Sequence, residues 1–387
     1  MNIPPEFKII LKSFSFTGII FSNTEVTRKR KTKAGDRIKF VLKSLVEITF
    51  VALTINTIYS QNFSGFKLKL IYKATTIVND AILLLLRILL LLNRTRILKT
   101  LSRLNVFGNG HQNLNLSSLR RYAFLACGVC LLFPLVFAIG AISFAVLKAD
   151  KYLSSVKLFD QSAQNSRVHY VLFVIGHTIM YANHFFLFPG LVMVLLSFMY
   201  LSFSMTFKRH LDEMRRSLIE NFSRQKVTTV LMVFAAAKKI HLDIEKTVSF
   251  VSFLSYVLIF GKILQVISSV VTDFMSDEET MNIIHLYIIL IWTIVWFIVL
   301  TMCGTQAKKN KAFIKNMNQE VVTKNYIKER GKRGLEHVNL LNSCSDIELR
   351  FTGWGMFVVD KELFLTVTGV MVTYGVLFAT EASKILV

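Results

Sequence analysis

Residues 284–306 read IHLYIILIWTIVWFIVLTMCGTQ, a run without one Lys, Arg, Asp or Glu, and the next five residues, 307–311, are AKKNK. At about 1.5 Å per residue a helix over this run is roughly 34 Å long, enough to cross the ~30 Å hydrocarbon core of a bilayer. A helix at a protein–water boundary keeps one polar face, and this run has none. The bilayer is therefore its solvent, and the lysines that follow mark the return to water.

Six further stretches of about 20 mostly apolar residues accompany it. With 284–306 as the sixth, the predicted spans are 40–60, 71–93, 122–147, 169–206, 248–273, 284–306 and 362–383. The fourth is too long for one crossing, so its end is expected to continue into water as a helix, bent at Pro189. The composition agrees. Of 387 residues 53% are hydrophobic and 18% charged, and the mean hydropathy is +0.50. Soluble chains carry about a quarter charged residues. The net charge of +22 is also compatible with nucleic-acid binding, but the repeated apolar runs make the membrane the better explanation and no nucleic-acid partner is expected. Ile9, Ile10, Leu11, Phe14, Phe16, Ile19 and Ile20 near the amino end are too interrupted for a span. They predict a short interfacial helix, and no cleaved leader is expected there.

The charges divide by side. Segments before the first span, between spans two and three, between four and five, and between six and seven hold 34 of the lysines and arginines, and the alternate segments hold 7. By the positive-inside rule the amino end and the basic loops are cytoplasmic and, with seven spans, the carboxyl end is outside. That inverts the arrangement of rhodopsin-like receptors. The expected fold class is an all-α membrane protein of seven transmembrane helices in inverted topology, multi-pass in the plasma membrane. The chain divides into a cytoplasmic segment 1–39, spans one to six over 40–306, a cytoplasmic helical segment 307–361, and a last span with a short outer tail over 362–387.

The tail carries a motif. Gly353, Phe357, Asp360, Leu363, Gly369, Thr373 and Tyr374 occur in that order, followed by the five-residue spacer Gly375 to Ala379 and then Thr380 and Glu381. This resembles the arthropod gustatory receptor family, whose signature is an aromatic-glycine stretch, an Asp before Leu, and a last span with Thr-Tyr, five apolar residues and Gln-Phe. Thr380 and Glu381 depart from the closing Gln-Phe. The resemblance implies a chemosensory receptor, related to insect odorant receptors, that is a ligand-gated non-selective cation channel for a small organic tastant. It implies four subunits, identical or mixed with related receptors, around one pore lined by the last span, an anchor built from the cytoplasmic parts of spans four to seven, a ligand pocket in the outer half, and a place in a sensory neuron dendrite. It also places an apolar constriction at Leu377 and puts Thr380 near the gate.

Read at helical period, the last span has a polar and small stripe of Thr366, Gly369, Thr373, Leu377, Thr380 and Lys384. Small residues also pack helices together in membranes; with the resemblance, the stripe reads as the pore wall. Leu377 then gates by dewetting, and four copies of Glu381 by the outer mouth favour cations.

Ionisable residues within spans face protein or water-filled cavities. Similar depths pair Asp80 with Lys262 and Glu47 with Arg87. His177, Tyr181, Gln265 and Trp292 are the preferred ligand contacts, with His184, Phe185, His285 and Tyr287 at the same level. No metal or cofactor is expected: His177 and His184 lack a third ligand, and Cys127 and Cys130 sit in an apolar span without a base. No catalytic motif appears, so an enzyme is not expected. A metabotropic seven-helix receptor and a secondary transporter remain as alternatives; inverted repeats are absent, but Pro189-Gly190 could break a helix as transporters do.

Overall fold

A computed structural model describes residues 2–21, 70–109, 117–147, 163–220, 222–271, 280–326 and 349–385, with a few positions between 45 and 52. Apart from those positions the predicted first span, 40–60, lies outside the described residues, as does Glu47. Helices are α1 (Pro5–Ser13), α2 (Leu70–Asn109), α3 (Ser117–Leu147), α4 (Ala163–Ala182), α5 (Phe188–Glu220), α6 (Arg224–Val271), α7 (Thr280–Tyr326) and α8 (Lys361–Ile385). A two-residue hairpin ladder, β1 (Thr352–Gly353) with β2 (Phe357–Val358), precedes α8. Among the described residues five helices are long and apolar enough to cross a membrane, α4 and α5 counting as one.

α4 runs into α5 through one π turn, Asn183–Leu187. Pro189 has no N–H and its ring would collide with the carbonyl four residues back, so a widened turn just before it relieves the clash without ending the helix. This is the form that the bend expected at Pro189 takes. α5 is the centre of the bundle: every residue from Phe186 to Tyr200 is buried, and α1, α2, α3, α6 and α7 surround it. α3 lies at the edge, with Phe124, Leu125, Leu132 and Val136 each more than 60% exposed. A continuous apolar surface of that kind is stable only against lipid or another apolar surface.

The short helix expected near the amino end is α1, and it packs into the bundle. Phe7, Ile10 and Phe14 are fully buried against α3 and α5, and the Ser202 hydroxyl donates to Glu6 at 3.3 Å. The apolar residues were too few for a span, but they suffice for one face of a helix wedged into a bundle.

α2 and α6 pair along most of their lengths. Arg103 is ion-paired to Asp243, the Thr100 and Thr247 hydroxyls share a hydrogen bond of 3.1 Å, and Gln265 donates to Thr76 at 2.9 Å. α5 and α7 continue together about 20 Å beyond the apolar stretch of α7. There Asn310 donates to the Ser204 carbonyl at 2.8 Å, and Arg215 Nε to Glu320 at 2.7 Å. The Arg215 guanidinium, with Lys324 beside it, holds the Glu320 carboxyl down at about 2.

Candidate functional site

Two places concentrate chemistry: an aromatic cluster at the π turn and the hairpin that carries α8.

The cluster joins α3, α4 and α7. Trp292 stacks on Phe133 at 4.4 Å with an interplanar angle of 5°, and Trp296 meets Trp292 edge-on at 5.5 Å. Phe186 links Phe133 at 6.1 Å to Tyr181 at 6.4 Å, and Tyr181 lies 4.4 Å from Phe185. Gly190 is what admits Trp292: a Cβ there would stand 2.9 Å from its Cζ2. A void of about 30 Å³ remains beside Gly190, Lys262, Trp292 and Trp296, room for one water.

Beside the Thr293 hydroxyl, which donates to its own helix, two donors face that void. Trp296 is 6% exposed and its Nε1 has no hydrogen-bond partner among the described residues. Lys262 is 8% exposed; its ammonium lies 4.8 Å from the Phe185 ring and has no hydrogen-bond acceptor among the described residues. Asp80 is close enough to act on Lys262 electrostatically, yet neither carboxylate oxygen is hydrogen-bonded among the described residues. Unmet buried donors and acceptors are costly and mark places built for something else to complete.

The predicted contacts divide. Tyr181 and Trp292 belong to the cluster. Gln265 is engaged by α2, donating to Thr76 and accepting from Asn79 at 3.2 Å. His177 stacks on Phe173 at 5.8 Å, one turn beyond Tyr181. Arg87 donates to the Thr17 carbonyl at 3.0 Å and lies over the Phe188 ring at 4.4 Å. The sequence reading missed Lys262 and Trp296 as a donor pair. Lys262 was read only as an ion-pair partner, and nothing in sequence distinguishes an orphaned indole from a packed one.

At the second place, Met356 donates to Gly353 at 2.9 Å across a turn whose central residues, Trp354 and Gly355, have φ of 52° and 72°. This is a type I′ turn, which matches the twist of a hairpin but is strained for tryptophan. α6 holds it there: the Trp354 N–H donates to Ser249 Oγ at 2.7 Å, and the ring lies 5.0 Å from that of Phe250. Glu245 accepts from the Thr352 N–H at 2.9 Å and its hydroxyl at 2.6 Å, His241 Nε2 donates to the Arg350 carbonyl at 3.1 Å, and Phe351 stacks on Tyr200 at 4.0 Å.

The hairpin delivers Asp360 to the start of α8. Its carboxylate accepts from the N–H groups of Glu362 at 2.9 Å and Leu363 at 3.3 Å, capping the helix. Its other oxygen takes Lys308 of α7 at 3.0 Å, and Lys308 also reaches Glu362 at 2.6 Å. Thus Gly353 and Asp360 of the motif fix where α8 begins.

α8 packs by one stripe, Leu363, Phe364, Val367 and Met371, against the core. Thr366, Gly369, Thr373 and Leu377 are exposed, centred about 130° around the helix from the packed stripe. Tyr374 is also exposed. Thr366 and Thr373 donate to their own helix one turn back, at 3.0 and 2.9 Å, so each turns oxygen lone pairs outward. Thr380 and Glu381 lie on α8, with side chains outside those described.

No family model and no curated protein matches the sequence. Solved structures do. The chain is similar to insect olfactory receptor OR5 from Machilis hrabei in complex with eugenol, with a TM-score of 0.59 at 12% identity, covering 97% of this chain and 98% of that one. A second structure of the same receptor gives 0.57 at 13% identity, covering 96% of each chain. The fold is that of an insect olfactory receptor.

Proposed function

We propose that the chain is a chemosensory receptor of the gustatory and odorant kind, a ligand-gated cation channel in the plasma membrane. Four copies surround one pore, each contributing α8. Residues 40–60 supply the first of seven spans, the amino end and residues 307–361 are cytoplasmic, and the carboxyl end is outside. The observation that carries this reading is α8 itself: anchored at its root by Asp360 and packed along one stripe, it leaves Thr366, Gly369 and Thr373 uncovered. The resemblance of the tail to gustatory receptors and the fold shared over nearly the whole chain support the same function.

The ligand site is the void beside Trp292. It takes a small, mostly apolar molecule with a hydrogen-bond acceptor, which Trp296 and Lys262 can meet. A second anion would have to be desolvated within the field of Asp80, so a neutral acceptor is favoured. Entry requires the Phe133–Trp292 stack to part, and a ligand that binds the parted arrangement better shifts the population toward it. Trp296→Phe keeps the ring and deletes the donor; dose–response recordings with the best agonist from a tastant panel should give a half-maximal concentration about tenfold higher, the equivalent of one hydrogen bond. An unchanged value would remove Trp296 from the site.

At the outer end of the pore, Glu381→Gln is expected to lower permeability to divalent relative to monovalent cations. Reversal potentials in mixed cation solutions measure it; identical potentials would take Glu381 out of the conduction path.

A further inference from the structure

Below the proposed gate, at the root of α8, a cavity of about 440 Å³ opens between the end of α7, the hairpin and the first turn of α8. Lys308, Lys311 and Arg350 stand around it with Asp360 and Glu362, over a floor that includes Phe357 and Leu363. The apolar run of α7 ends at Gln306 and that of α8 starts at Leu363, so the cavity lies where hydrocarbon gives way to headgroups.

The two carboxylates differ. Asp360 is 4% exposed and committed to capping α8. The Glu362 side chain is 68% exposed and held only by Lys308 in this region. No ion pair involves Lys311 among the described residues. We propose that this cavity binds the phosphate of an anionic phospholipid from the adjoining leaflet. The phosphate displaces Glu362 from Lys308 and is completed by Lys311 and Arg350, while Phe357 and Leu363 receive the glycerol end of the acyl chains. That floor is what selects a lipid over free phosphate, and the excess of basic residues on this side draws anionic lipid toward it. Occupancy exchanges a contact at the first turn of α8, so the lipid regulates the proposed pore helix; this consequence rests on the channel reading, whereas binding does not.

Full-length protein in phosphatidylcholine nanodiscs, open on both faces, is titrated with short-chain fluorescent phosphatidic acid. The expected result is saturable binding, weakened about tenfold in Lys311→Gln/Arg350→Gln and unchanged in Lys238→Gln/Lys239→Gln. Lys311→Glu, a single exposed charge reversal, should weaken it comparably and guards against misfolding of the double variant. Glycerol 3-phosphate, the same headgroup without tails, should compete only at much higher concentration. Equal competition would reassign the site to soluble phosphates and overturn the lipid assignment. Binding that is absent, or indifferent to Lys311 and Arg350, would overturn the site. Neither readout uses current or sidedness, so failure of the channel reading leaves it intact.

Discussion

Alanine at Gly304 is expected to abolish ligand-evoked current. A Cβ there would lie 2.3 Å from the carbonyl oxygen of Val359 and 2.5 Å from its Cγ1. The first neighbour is backbone, one residue before Asp360, so no rotamer change relieves the clash. Overpacking of this kind costs about 1–3 kcal/mol, and here it is relieved by lifting the hairpin from α7. Lys308, one turn further along α7, would then lose Asp360, and α8 would lose the contact that sets its position. Surface protein should persist, because α5 and the α2–α6 pair do not pass through this contact. Current normalised to surface label is the measurement; Gly304→Ala channels that conduct like the parent would contradict the hairpin's role in setting α8.

A cysteine at Thr373 is expected to make most of the current susceptible to block by a water-soluble thiol reagent, and one at Met371 is not. Thr373 belongs to the uncovered stripe and Met371 to the packed one. Among the described residues Cys127 and Cys130 are buried and Cys303 is partly so; the fourth cysteine, Cys344, lies outside them, so both substitutions are made in a Cys344→Ser background. Reaction at Thr373→Cys should be faster with ligand present if parting of the helices at Leu377 opens the path. Equal modification of both positions would mean that α8 has no preferred wet face.

The membrane class was legible because it depends on the longest-range signal in a sequence, the apolar run. Residues 284–306 and their basic edge predict a span, and α7 covers them with a helix long and apolar enough to make one. The irregularity at Pro189 was legible in place but not in kind, since a π turn and a kink both accommodate a residue without an N–H. α1 was legible as a short helix but its packing was not, because Phe7, Ile10 and Phe14 describe a buried face without saying what buries it. The motif residues Gly353 and Asp360 could be recognised, but their role is tertiary. Glu245 and Ser249, which hold the hairpin, are two polar residues one turn apart on a helix surface, with no local feature to distinguish them. The same limit applies to the ligand site. Tyr181 and Trp292 could be selected by depth, whereas the engagement of Gln265 by Asn79 and Thr76 and the orphaned donor of Trp296 depend on neighbours 150 or more residues away or on the absence of any.

The most direct test of α8 as a conduit wall is an image of the purified protein in lipid nanodiscs, resolved well enough to count subunits and orient side chains. The account predicts four copies about one axis, with Thr366, Gly369 and Thr373 of each α8 facing it and Met371 turned away. A single copy, or an assembly in which that stripe of α8 faces lipid, would contradict it.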